Sequence, residues 1–91
     1  MPVVRIPSVL RKHTDGADKI TVDGASVRDV FNQLIAKHPE LEDSLLDGDQ
    51  VRGFINVYVD DEDIRYIGGL DAAVTDQDEI AIMPAVAGGA R

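Results

Sequence analysis

The chain has 91 residues, 44% of them apolar and 29% charged, with a formal net charge of −8. That is one core's worth of sequence: a domain of this size buries roughly 60–65% of its unfolded surface and folds alone, and the composition lies well away from disordered chains. Cysteine is absent, which removes disulfides, thiolate nucleophiles and Cys-based metal sites, and the acidic balance argues against nucleic acid, whose phosphates need clustered Lys and Arg.

Residues 3–9, "VVRIPSV", alternate as a first strand, Val4 and Ile6 to one side and Arg5 and Pro7 to the other. "RKHTDGADK" is polar and turn-rich and reads as a loop, and "KITVDG" is a short second strand closed by Asp23-Gly24, so the two strands form an opening hairpin. "SVRDVFNQLIAKHPE" is the clearest helix: Ser26 is an N-cap with Asp29 in a capping-box-like position, and Val27, Val30, Phe31, Leu34 and Ile35 make one buried stripe. Lys37 and His38 suit the negative helix end and Pro39 stops it. "ELEDSLLDGDQ" offers a short helical turn whose Leu41, Leu45 and Leu46 cap an edge of the core.

"FINVYVDDEDIRYI" reads as a second hairpin, with Ile55, Val57 and Val59 on one face and Phe54, Asn56 and Tyr58 on the other. Its "DDED" turn lacks the spacing and glycine of a calcium loop and is a solvated turn. "GGLDAAVTDQD" turns back, and "EIAIMPAV" is the last strand, Ile80 and Ile82 inward. One amphipathic helix cannot bury its stripe alone, so the order predicts an α+β fold over residues 1–84. It is a mixed sheet of four to five strands with one main helix packed on one face, the β-grasp arrangement seen in ubiquitin, and residues 85–91 form a flexible C-terminal tail.

No constellation in the chain reads as a catalytic or metal site of its own. His13 lies in a polar loop and His38 at a helix end, neither with a partner at triad or metal-ligand spacing; Ser8, Ser26 and Ser44 stand in no nucleophile-elbow pattern, and Gly68-Gly69 has no phosphate-loop spacing. No apolar run reaches the roughly 20 residues that cross a membrane and no signal-peptide pattern opens the chain, so a cytoplasmic protein without membrane contact is expected.

Two features point to a protein partner. The tail "MPAVAGGAR" leaves the sheet at Pro84, which cannot continue a ladder as donor, and Val86, Ala87, Gly88 and Gly89 then form a thin segment. From Pro84 to Gly89 it reaches about 20 Å when extended, and glycine lets a partner approach its backbone from every side. The sheet face away from the helix is expected to display Phe54, Tyr58, Ile67, Ala81 and Met83 among Arg5, Asn56 and Arg65, a partly apolar patch of the kind that marks a docking surface.

The ending "D-x-D-x-I-x-I-x-P-x-V-x-G-G", present as Asp76, Asp78, Ile80, Ile82, Pro84, Val86, Gly88 and Gly89, resembles the β-grasp sulfur-carrier family that includes ThiS and MoaD. "VRIPSVLRKHT" and "NVYVDDEDIRYIGGL" carry the likeness over most of the chain, closest to the branch that serves cysteine biosynthesis. The resemblance implies a carrier with no catalytic site and no bound cofactor. An E1-like partner uses ATP to adenylate the carboxylate of Gly89, and sulfur replaces the adenylate as a thiocarboxylate. A cysteine synthase-like enzyme then accepts the sulfur. Here Ala90 and Arg91 follow Gly89, so the resemblance further implies removal of both by a JAMM-type metalloprotease. Within the family the alternative is a molybdopterin-synthase small subunit; outside it, a ubiquitin-like protein modifier.

Overall fold

A computed structural model of the chain describes residues 1–48 and 50–84. Period-two alternation builds its main sheet from β1 (Val3–Arg5), β2 (Lys19–Thr21), β5 (Ile55–Val59), β6 (Glu62–Asp63) and β7 (Glu79–Pro84). Two further short strands, β3 (Leu46–Asp47) and β4 (Gln50–Val51), pair with each other as a separate ribbon. The main sheet runs β2-β1-β7-β5-β6, with β1 and β7 parallel at the centre and the other pairs antiparallel.

Helix α1 (Val27–Lys37) lies on one face of this sheet. The Ser26 hydroxyl accepts the Asp29 amide at 3.1 Å, while the Asp29 carboxylate accepts the amide of Ala25, one residue earlier than in a strict capping box. Val27, Val30, Phe31 and Leu34 are buried, as the stripe requires, and Ile35 is half-buried at its margin. They meet Val4, Ile6, Val57, Ile80 and Ile82 from the sheet, and Leu41 and Leu45 close the core from the turn before α2 and from α2 (Glu42–Leu45). Gly24 is required where the chain enters α1, since a Cβ there would lie 2.8 Å from Val30 Cγ2 and 2.9 Å from the Val30 amide nitrogen.

Two segments depart from the alternation pattern through side chain–backbone bonding, and Pro84 departs from the expected exit. β1 ends at Arg5, and Ser8–His13, the end of the expected strand and the start of the expected loop, forms a 3-10 turn closed by buried Thr14, whose hydroxyl donates to the carbonyls of Arg11 (3.2 Å) and Ala17 (2.9 Å). The second hairpin is short: Asp60 and Asp61 both take positive φ (50° and 73°), the two-residue loop that matches strand twist, but β6 ends after Asp63. There the Asp63 carboxylate accepts the Arg65 amide at 2.9 Å and starts a 3-10 turn over Ile64–Tyr66, so "IRYI" is not strand. Pro84 remains in the sheet as the last residue of β7, opposite Ile55.

Candidate functional site

The face of the sheet opposite α1 is built on one transverse row. Ala81 in β7 pairs with Arg5 of β1 on one side and Tyr58 of β5 on the other, and the next row sets Met83 against Asn56. A methyl group between two long side chains leaves a depression, and a groove of about 710 Å³ runs along it. Tyr58 and Ala81 are half-buried in its floor, whereas Met83 is 49% exposed although an apolar side chain of this size normally packs. Pro84, the last residue of β7, also lines the groove.

The structure thus brings Tyr58, Ala81 and Met83 together with Arg5 and Asn56, as alternation predicts. Phe54 stands in the turn before β5, 55% exposed. Arg65 and Ile67 sit off the strand lattice: Ile67 is half-buried and packs against the core, and Arg65 is held flat on Asp63, its Nε 3.1 Å from both carboxylate oxygens and its Nη2 2.6 Å from Oδ2. Tail positions Val86, Ala87, Gly88, Gly89, Ala90 and Arg91 lie outside the described residues.

The Arg11 and Lys19 side chains also border the groove, a contribution the sequence reading missed. The 3-10 turn carries Arg11 back to the end of β1, where its Nε donates at 3.1 Å to the carbonyl of Ile6, the residue after that strand. The unbroken basic run Arg11-Lys12 gave no signal of that return. At the hairpin end the groove is acidic, with Asp61 in its lining.

Local electrostatics are strongest around this acidic end. The Arg65 side chain, followed by its amide, holds Asp63 below the ordinary carboxylate range, and Asp63 in turn raises Arg65. Asp60 and Asp78 face each other electrostatically at the base of the hairpin, the Asp60 carboxylate accepting the Glu79 amide at 2.9 Å and that of Asp78 the Thr75 amide at 2.8 Å. The Glu79 amide pulls Asp60 down, but the neighbouring Asp78 carboxyl, desolvation and the charge of Asp61 together leave it raised; the Thr75 amide, then Asp60, keeps Asp78 lowered.

A ubiquitin-like β-grasp domain whose sheet face opposite α1 carries a groove reaching Pro84 is the class that fold and site define. Residues 4–89 match the ThiS family, and the chain belongs to that family. It is 39% identical over 89 residues to the sulfur carrier protein CysO of Mycobacterium tuberculosis, covering 94% of this chain and 96% of that one. In structure it is similar to CysO in the Amycolatopsis orientalis BexX/CysO complex, with a TM-score of 0.91 and 40% identity over 94% of this chain and 97% of that one. It is also similar to the small archaeal modifier protein 1 of Methanosarcina acetivorans, with a TM-score of 0.82 and 32% identity over 96% and 94% of the two chains. Among the described residues no helix is long and apolar enough to cross a membrane.

Proposed function

We propose that this chain is a cytoplasmic sulfur carrier whose working group is the carboxylate of Gly89. The observation that supports it most directly is the junction at Pro84. There an open, partly apolar sheet face ends where the family's V-x-G-G segment begins, so one partner can hold the face and receive the segment together.

The chemistry follows from the weakness of a carboxylate as an electrophile. Its oxygen attacks the α-phosphorus of ATP on an E1-like enzyme and pyrophosphate leaves. Sulfur then adds to the acyl carbon and AMP departs, leaving a glycyl thiocarboxylate. That group is a strong nucleophile and needs no cysteine on the carrier, consistent with a chain that has none. Its sulfur passes to a cysteine synthase-like acceptor, in line with the likeness to CysO. Gly89 has no free carboxylate while Ala90 and Arg91 follow it, so a JAMM-type metalloprotease removes them first.

ATP–pyrophosphate exchange by the E1-like enzyme tests this reading. Exchange is expected with the chain ending at Gly89 and not with the chain ending at Arg91; equal exchange, or none with either, contradicts it. The likeness to an archaeal modifier supports a second reading, attachment of Gly89 to lysines of other proteins. Protein adducts that survive reduction mark the modifier, and a thiocarboxylate without adducts marks the carrier.

A further inference from the structure

A second concavity, of about 330 Å³, lies along the outer edge of β5 and meets the groove only at Asn56. Its apolar lining comes from Val51, Ile55, Val57, Ile64 and Leu70. Among the described residues its charged lining is three arginines against a single carboxylate, in a chain that carries almost twice as many acids as bases. The arginines arrive from separate elements: Arg28 from α1, Arg52 from the turn between β4 and β5, and Arg65 from the 3-10 turn after β6.

The carboxylate, Asp63, is taken up by Arg65. The other two arginines have counterions outside the cleft. Arg28 donates through Nε (3.3 Å) and Nη2 (3.2 Å) to one oxygen of Asp71, which is highly exposed, and Arg52 Nη1 is 4.0 Å from the exposed carboxylate of Asp47. Solvent-exposed pairs of this kind are weak and exchangeable, and a guanidinium has five donors to offer. The backbone of the cleft wall is open in part: the Ile55 amide donates to the Arg52 carbonyl at 3.2 Å, but among the described residues the edge beyond it has no strand partner. β6 pairs only with Tyr58 and Val59, and among the described residues no strand flanks Ile55–Val57 on this side. A strand edge left open beside an apolar floor accepts an added extended segment.

We infer that this cleft is a second docking site, for an extended segment of a partner protein that carries acidic side chains beside aliphatic ones. The segment lies along β5 over Val51, Ile64 and Leu70, and its carboxylates replace Asp71 and Asp47 on Arg28 and Arg52. A partner gripping this edge leaves Met83 unobstructed. The assignment does not depend on sulfur chemistry.

The test is a titration of the 15N-labelled full chain with the peptide Glu-Ile-Val-Asp-Leu, against its amide counterpart Gln-Ile-Val-Asn-Leu and against free glutarate. The acidic peptide is expected to shift the amides of Val57, Ile64 and Leu70 and the Arg28 Nε–H, to leave Ala81 and Met83 in place, and to lose about tenfold in affinity with Arg28→Gln. The inference is overturned by the absence of binding, by equal binding of the amide peptide, or by shifts centred on Met83. It is equally overturned by glutarate producing the same shifts at the same concentration, which makes the cleft a small-acid site, or by unchanged affinity in a folded Arg28→Gln variant.

Discussion

Met83 stands directly opposite Asn56 on the open face of the sheet, one residue before Pro84 ends β7. An exposed thioether at that point gains by being covered: fully burying such a side chain is worth about 1.5–3 kcal/mol. Met83→Asp is therefore expected to lower activation by an E1-like partner by about tenfold or more while leaving the unfolding midpoint unchanged, since the position touches solvent in the free chain. Normal activation of the folded variant removes this face from the docking surface. Ile67→Asp is a less clean probe, because Ile67 packs on the core and its substitution is expected to lower stability as well.

Gly24 and Val30 provide a test of the helix entry. A Cβ at residue 24 has no room beside Val30 Cγ2 and the Val30 amide, so Gly24→Ala is expected to cost about 1–3 kcal/mol in denaturant unfolding. The companion Val30→Ala in the Gly24→Ala background relieves only the side-chain half of the clash. A Gly24→Ala protein as stable as the parent contradicts the close packing described for this corner.

The acidic cluster at the hairpin predicts two opposite pH responses. Asp63 is held below its ordinary value of 3.8, so its contribution is fully present above that pH and is lost as pH falls through the lowered value. Asp63→Asn should therefore destabilise at pH 7 and progressively less below about pH 3.8. Asp60 is raised above 3.8, so the folded state binds its proton more tightly and stability gains as pH falls through the raised value. Asp60→Asn is expected to stabilise at pH 7, because Asn still accepts the Glu79 amide, tolerates φ of 50° and carries no charge against Asp78. Chemical unfolding at pH 7 and pH 3 checks both; an Asp60→Asn gain that persists at pH 3 rules out charge relief as its cause.

Much of the fold was legible because its strongest elements repeat a period. The α1 stripe from Val27 to Leu34, the inward set Ile55, Val57 and Val59, and Ile80 with Ile82 all occupy the expected faces. What escaped the pattern was decided by single polar groups. Thr14 closes a 3-10 turn where the end of a strand and a loop were read, and Asp63 ends a strand that alternation carried on to Ile67. The β3–β4 ribbon spans two residues on each side, too few for any periodic signal. The site followed the same division. Alternation placed Tyr58, Ala81 and Met83 on one face, because strand neighbours follow from register. Arg11, Arg28 and Arg52 come from turns and a helix, and only the folded chain assembles them.

The central claim is that Gly89 carries sulfur as a thiocarboxylate. Its most direct test is the intact mass of the chain ending at Gly89 after incubation with an E1-like enzyme, ATP and a sulfide source. The account predicts a gain equal to the exchange of one oxygen for one sulfur, located by fragmentation at Gly89 and absent when ATP is omitted. An unchanged mass under conditions where the same enzyme forms the adenylate would contradict it.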